Sequence, residues 1–160
     1  AEVVVRALSA AKLSILTMAL LTVGGLAWGQ TPQLKLPTLS LNAGIHVIQA
    51  QVANTFDTRR IGLMYRKDMP ANQGMLFVFP EVEQHCMWMR NTLLPLSVAF
   101  LDTDGTIVNI EDMEPQTENT HCAAKPSRYA LEMNKGWFAQ KGVKPGVKLG
   151  GIDKAPPPRQ

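Results

Sequence analysis

The chain has few of the residues and motifs on which recognised catalytic and nucleic-acid sites are built. Only two cysteines and three histidines occur among its 160 residues. No nucleophile-elbow, zinc-protease or β-lactamase motif is present, and no glycine-rich loop could cradle a phosphate. The net charge is only +3 and the basic residues are scattered, whereas a nucleic-acid footprint needs them clustered. We therefore predict no cofactor, no metal and no nucleic-acid partner.

Long apolar runs are also lacking, apart from one near the N-terminus. Leu13 to Leu26 carries no charge, Arg6 and Lys12 precede it, and Ala27-Trp28-Gly29 follows with small residues at the −3 and −1 positions. The run is about 14 residues long, short of the roughly 20 that a membrane span needs. We predict a signal peptide over residues 1–29 and a periplasmic or secreted protein, with membrane contact only through an uncleaved leader.

The two cysteines, Cys86 and Cys122, each follow a histidine. In an oxidising compartment a lone pair of cysteines most simply forms a disulfide, which we predict here. A metal site that adds His85 and His121 is the first alternative. However, a histidine directly before a cysteine on a strand points to the opposite face. Two free thiols are the remaining alternative.

Short apolar segments separated by turn residues make up most of the chain after residue 43. The clearest is GIHVIQAQVA (44–53), whose alternation predicts a strand. A short helix should follow, with Asp57 or Thr58 as its N-cap. There is no internal repeat and no long amphipathic helix. We predict a mostly β protein, a single antiparallel β-sandwich or jelly-roll-like domain with one or two short helices. The other predicted strands cover residues 75–79, 86–91, 96–101, 106–110 and 128–133.

Prolines and composition divide the chain into four segments. Residues 1–29 are the signal peptide, and residues 30–43 are an entry segment marked by two prolines. Residues 44–152 form the β domain. Residues 153–160 are predicted to be a disordered, proline-rich tail.

Several motifs recur in a fixed order across the predicted domain and carry a family resemblance. They are Arg60-x-Gly62-Leu63-Met64-x-Arg66, Gly74-Met75-Leu76-Phe77-x-Phe79-Pro80, Trp88-Met89-x-Asn91-Thr92-x-x-Pro95-Leu96, Asp104-Gly105 and Tyr129-x-Leu131-Glu132 with Gly136. The chain resembles the DUF192 family of uncharacterised bacterial and archaeal proteins. The resemblance implies a compact jelly-roll β-sandwich, often exported, with no established activity. The family commonly has an acid where this chain has Ser97, so no role of that carboxylate carries over.

Six polar or aromatic residues are candidates for a ligand site, Arg60, Arg66, Trp88, Arg90, Asn91 and Glu132, and all of them except Arg90 are predicted to form it. A tryptophan beside an arginine or asparagine is a common way to hold a carbohydrate or a carboxylate. The competing interpretation is a core tryptophan, with Arg60 paired to Glu132 or to carbonyl groups of a turn. We predict a non-enzymatic binding module of the periplasm or cell envelope. In it Arg60 and Arg66 bind an anionic or carbonyl group, Trp88 stacks and Asn91 orients a small molecule, a glycan or an envelope protein.

Two alternative functions follow from other residues. An envelope enzyme acting on a glycan would use Glu132 as acid or base, and would need a second carboxylate within about 5 to 10 Å. A copper-binding protein would use Met87, Met89 and a histidine, since thioether and imidazole ligands suit Cu(I). The competing interpretation of these methionines is that they fill the core.

Overall fold

The computed structural model describes residues 30–160, so the signal peptide predicted for residues 1–29 lies outside the described part. Within that part, no helix has the length and apolar character needed to cross a membrane. Residues 30–160 form eight strands, two short helices and a 3₁₀ turn. In chain order these are β1 (Thr38–Ala43), β2 (His46–Ala53), α1 (Phe56–Ile61), β3 (Gln73–Glu83), β4 (Cys86–Met87), β5 (Leu96–Leu101), β6 (Ile107–Met113), β7 (His121–Cys122), β8 (Ser127–Asn134), α2 (Trp137–Gln140) and the 3₁₀ turn Ile152–Lys154.

Six strands form one open sheet in the order β1-β2-β3-β8-β5-β6, and β4 pairs with β7 in a separate ribbon. The mostly β prediction is confirmed. The sheet is mixed rather than wholly antiparallel, because β2 and β3 run parallel. Parallel neighbours need a crossover connection rather than a hairpin. Here that connection contains α1, and it lies over one face of the sheet.

Both faces of the central strands are buried, which explains their continuous apolar sequences. On one face the core includes α2 and the segment that ends at Ile152. On the other face it includes Leu63, Met69, Met89 and Leu94, which come from the connections after α1 and after β4. Met87 of the ribbon packs against this second cluster. The ribbon and the α1 crossover therefore form the second layer of a sandwich-like arrangement.

Helix α1 begins at a Thr55 cap rather than at the predicted Asp57 or Thr58. The Thr55 hydroxyl accepts from the backbone N–H of Thr58, and the Thr58 hydroxyl accepts from the backbone N–H of Thr55. This reciprocal pair satisfies two N–H groups that a helix start leaves free. Asp57 instead lies in the first turn, where its negative charge interacts favourably with the positive end of the helix dipole. The helix ends at Gly62, whose φ of 51° suits glycine.

The strand boundaries differ from the predicted ones in several places, and β6 ends at Met113 rather than at residue 110. Strand β1 lies inside the predicted entry segment, because the two prolines interrupt the backbone only up to Pro37 and an alternating TLSLNA follows. Strand β3 continues past Pro80 to Glu83, with an irregular register after Val78. Such an irregularity is where a strand tolerates proline. Of the predicted strand 86–91, only Cys86–Met87 is a strand in the structure.

The terminal segments on both sides of the domain pack beside α1. The Gln33 amide donates to the carbonyls of Thr58 (2.8 Å) and Gly62 (2.9 Å) at the C-terminal end of α1. The proline-rich tail was predicted to be disordered, whereas residues 155–159 lie against the domain. The amide of buried Asn54 donates to the Pro157 carbonyl at 2.8 Å. Proline restricts local conformation, and this hydrogen bond comes from a residue 103 positions away, so composition alone misses the contact.

Cys86 and Cys122 form the predicted disulfide, which joins the directly opposed residues of β4 and β7. Their neighbouring histidines face elsewhere. The His85 ring stacks on Phe79 with 3.8 Å between ring centroids, and the His121 ring contacts the Asn119 amide. Within residues 30–160, no group of three or more His, Cys, Asp or Glu side chains is arranged to hold a metal ion.

Candidate functional site

A cleft of about 660 Å³ opens on the side of the sheet that α1 covers. Its walls are α1 with the loop that follows it, and the segment 86–92 that leaves the disulfide ribbon. The face of the sheet forms its floor. The volume lies inside the range of about 300–1,000 Å³ that small-molecule pockets occupy. The inner lining is largely apolar and includes Ile61, Leu63, Phe77, Phe79 and Met87.

Glu132 is the carboxyl group at the floor of this cleft. It lies on β8, directly opposite Met75 on β3 and Val98 on β5, both fully buried. Directly opposed residues of antiparallel strands share a face, so Glu132 is flanked by apolar side chains on both sides. Only 4% of the residue is exposed. Among residues 30–160 we find no hydrogen bond or ion pair to its carboxyl group.

Burial without a partner changes the ionisation of Glu132. Removal from water penalises the charged carboxylate and raises the pKa of Glu132 from 4.5 to about 8. At neutral pH the side chain is therefore mostly a protonated acid, with one O–H to donate. The floor of the cleft thus offers a neutral hydrogen-bond donor surrounded by apolar side chains.

Two arginines lie at the mouth of the cleft with their guanidinium groups accessible. Arg60 contacts Asp57 at 3.8 Å, and 63% of its side chain is exposed. Arg90 contacts Glu118 at 3.5 Å and lies over the Trp88 ring, 5.5 Å from the centroid. Exposed ion pairs of this kind contribute little energy, so either arginine can exchange its partner for a ligand anion. Arg60 does not pair with Glu132, contrary to one of the interpretations above.

Trp88 lines the cleft and is 45% exposed, so it is not a core tryptophan. Phe56, the first residue of α1, lines the same cleft and is 63% exposed. Aromatic rings combine a large apolar surface with little conformational entropy to lose. Because the rings also lie among arginines, the mouth is both aromatic and cationic.

Two lining residues adopt a backbone conformation that is rare outside glycine. Tyr65 has a φ of 66° and Asn91 a φ of 53°. Asparagine tolerates this region, but a tyrosine there is strained by about 1–3 kcal/mol. The Tyr65 N–H donates to the Asn91 carbonyl at 2.9 Å, which joins the two walls of the cleft. Backbone strain of this kind concentrates at binding and catalytic sites.

Arg66 lies apart from the four other predicted site residues and does not line the cleft. It is 7% exposed, and its guanidinium donates to the Gln33 carbonyl at 2.7 Å and to the Gln51 side-chain oxygen. Its Nε has no hydrogen-bond partner among residues 30–160. The structure therefore brings together Arg60, Trp88, Asn91 and Glu132, and gives Arg66 contacts to the entry segment and to β2.

Phe56, Tyr65 and Arg90 line the cleft but are not among the predicted site residues. Arg90 had a usable signal, because it lies between Trp88 and Asn91 in the motif. Tyr65 had none, since its strained conformation depends on a contact with residue 91. Phe56 resembles an ordinary first residue of a helix until the cleft beside it is known.

The residues of the alternative functions are arranged less favourably. Within the described range 30–160, Glu132 is the only Asp or Glu that lines the cleft. Met89 is fully buried in the core, whereas Met87 lies opposite His121 across the ribbon. Ser97 faces away from the cleft, and its hydroxyl donates to Asp112 at 2.5 Å and accepts from the Gly136 N–H at 2.9 Å.

Comparison with known proteins gives a family and a fold. The family model DUF192, described as an uncharacterized ACR, matches residues 38–151. A candidate transcription regulator from Sinorhizobium meliloti is 35% identical, with a TM-score of 0.69 over 74% of this chain and 97% of its own. A protein of unknown function from Novosphingobium aromaticivorans is 31% identical, with a TM-score of 0.69 over 74% of this chain and 91% of its own. None of the curated proteins matches the chain.

Proposed function

The chain belongs to the DUF192 family, and we propose that it is a non-enzymatic binding module that holds a small organic ligand in the cleft beside α1. One observation carries the proposal. Glu132 is only 4% exposed and its carboxyl group has no partner among residues 30–160, which is costly at the floor of an apolar cleft, and a ligand that pairs with it would offset that cost. Exposed aromatic rings and arginines at the mouth supply the other contacts that a small-molecule site needs.

Each residue of the cleft has a distinct role in this proposal. Arg60 and Arg90 bind an anionic or carbonyl group at the mouth, because their guanidinium groups can form paired hydrogen bonds to a planar anion. Trp88 stacks on the ligand, and Asn91 orients it. Arg66 takes the supporting role of holding the entry segment through the Gln33 carbonyl.

A glycan-acting enzyme is the second candidate, and the environment of Glu132 is the observation that favours it. A general acid at neutral pH needs a raised pKa, which burial gives to this carboxyl. Glycoside hydrolysis also needs a second carboxylate close by. The described residues that line the cleft include no second carboxylate, so binding without turnover is the better-supported function. If the protein released reducing ends from envelope glycans, and Glu132→Gln lost this activity, the enzyme would become the better-supported function.

The proposed location is the periplasm or the cell exterior. The apolar leader predicted over residues 1–29 supports export. The Cys86–Cys122 disulfide supports it independently, because such bonds persist in oxidising compartments. Cell fractionation followed by detection of the disulfide-bonded protein would test this, and recovery from the cytoplasm alone would contradict it.

A thermal-shift screen tests the binding function. The disulfide-bonded protein would be melted with small carboxylates, oligosaccharides and cell-wall fragments. A ligand at 100 times its Kd should stabilise the protein by about 2.7 kcal/mol, which is several degrees for a domain of this size. Arg60→Ala and Trp88→Ala should abolish the shift. Lys144→Ala, an exposed change of equal charge outside the cleft lining, should leave it unchanged. Equal shifts in all variants would refute a site in the cleft.

A further inference from the structure

The chemistry of the cleft changes from its floor to its mouth. At the floor, Glu132 lies between Met75 and Val98, and its carboxyl group has no partner in the described part of the chain. In the middle, the lining is apolar. At the mouth are the Trp88 ring and the exposed guanidinium groups of Arg60 and Arg90. A ligand that matches all three levels must therefore carry different chemical groups at its two ends.

The floor selects the inner end of the ligand. A protonated carboxyl group is an O–H donor, and a buried donor without an acceptor loses the energy of a hydrogen bond. An inner end that is purely apolar leaves that O–H unpaired. An anionic inner end would place a charge at the most buried point of the cleft, at a large desolvation cost. A neutral acceptor, such as a carbonyl oxygen or a ring nitrogen, avoids both costs.

The mouth selects the outer end and the body of the ligand. Guanidinium groups favour a carboxylate or a similar planar anion. The Trp88 ring favours a flat body that can stack beside it. We propose, on the basis of the binding function above, that the cleft accepts a planar organic anion whose buried end presents a neutral hydrogen-bond acceptor to Glu132. The anionic end then lies between Arg60 and Arg90.

The affinity of the protein for a ligand of this class should fall as pH rises. The charged or titratable groups that face the cleft are Arg59 and Arg60 from α1, Tyr65 from the following loop, and Arg90 from the segment 86–92. Strands β3 and β5 present only the apolar Met75 and Val98 beside Glu132. Glu132 is therefore the one carboxyl group of the lining, and it donates to the ligand only while protonated. Affinity should fall as pH rises through the titration of Glu132.

The test uses shape-matched probes on the disulfide-bonded protein. The first is 4-acetylbenzoate, which has a carboxylate at one end and a carbonyl acceptor at the other. The second is 4-isopropylbenzoate, which has the same shape without the acceptor. A second, longer pair carries the same acetyl and isopropyl groups on biphenyl-carboxylate, so that the probes differ in how far they reach into the cleft. Binding is followed by titration calorimetry and by NMR signals of the arginine and tryptophan side chains. Near pH 6 we expect the acetyl probe of the fitting length to bind at least about tenfold more tightly than its isopropyl partner.

Variants of Glu132 separate hydrogen bonding from shape. Glu132→Gln keeps a neutral N–H donor, so its preference for the acetyl probe should persist from about pH 6 to about pH 9, whereas the wild-type preference should disappear over that range. Glu132→Met keeps the length without a donor and should show no preference at either pH. Glu81→Gln, which removes an exposed carboxylate outside the cleft lining, should behave as the wild type.

The outcomes distinguish this ligand class from the broader binding function. Equal binding of acetyl and isopropyl probes, abolished by Arg60→Ala or Trp88→Ala, would overturn the acceptor requirement and leave the binding function standing. A preference that persists in Glu132→Met would also overturn it. If no acetyl probe of either length binds, the ligand class is wrong, and the thermal-shift screen decides the binding function separately. If the probes bind equally well to the wild type, to Arg60→Ala and to Trp88→Ala, both the ligand class and the binding function of the cleft are refuted.

Discussion

Replacing Glu132 by glutamine should stabilise the protein, and by an amount that grows with pH. The wild-type carboxyl has a pKa of about 8 in the fold against 4.5 ordinarily. Between these two values the folded state retains a proton that the unfolded state has released. Stability therefore falls as pH rises through this window, and changes no further above it. Glutamine has nearly the same shape, does not titrate, and loses no hydrogen bond, because the carboxyl has no partner in the described residues.

The size of the effect follows from the two pKa values. While the folded state holds one proton more than the unfolded state, the unfolding free energy falls by about 1.4 kcal/mol for each pH unit. The variant should exceed the wild type by about 1 kcal/mol at pH 5, about 3 kcal/mol at pH 7 and about 5 kcal/mol at pH 9. Titration of every other group cancels in this difference, since both proteins contain them.

Urea unfolding at several pH values, followed by circular dichroism with the disulfide intact, measures these differences. Equal slopes with urea concentration in both proteins would show that the unfolded states are comparable. Glu81→Gln is the matched control, because it removes an exposed carboxylate and should not reproduce the pH trend. A constant stability difference from pH 5 to pH 9 would refute the argument. It would mean that the Glu132 carboxyl ionises in the fold as it does in water, and that the floor of the cleft is not desolvated.

Three further predictions concern the rest of the chain. Reducing the Cys86–Cys122 disulfide, which spans 36 positions, should lower the unfolding free energy by about 4 kcal/mol through the greater entropy of the unfolded chain; an unchanged urea midpoint with reductant would contradict this. Gly74→Ala should destabilise by about 2–3 kcal/mol, because its Cβ would lie 2.5 Å from the Glu132 carbonyl oxygen. Wild-type-like melting of that variant would show that β3 and β8 can separate at little cost. Mass spectrometry of the exported protein should give an N-terminus at Gln30, and a mass that includes residues 1–29 would contradict cleavage after Gly29.

Local patterns predicted several elements well. Alternation in GIHVIQAQVA located β2, and the apolar run after Gly74 located the core of β3. The lone cysteine pair predicted the disulfide, since few other partners exist for two thiols in such a chain. These features depend on neighbouring residues or on composition. Each can be judged without knowing which strands pair.

Features that depend on strand pairing were harder to predict. The parallel pairing of β2 with β3 depends on how the α1 crossover packs over the sheet. Strand 86–91 was predicted too long, because its apolar alternation continues past Met87 while the backbone turns to a φ of 53° at Asn91. A left-handed residue breaks the two-residue repeat on which the prediction rested.

The sequence by itself determined that this is a mostly β member of its family, with a disulfide and with Arg60, Trp88, Asn91 and Glu132 as candidate ligand-binding residues. Only the tertiary structure decided that these four meet in one cleft and that Arg66 does not. The physical reason is burial. A glutamate in a sequence is an acid with an ordinary pKa, and it becomes a neutral donor only where Met75 and Val98 from two other strands exclude water from it. That environment is made by residues far apart along the chain, so no local pattern contains it.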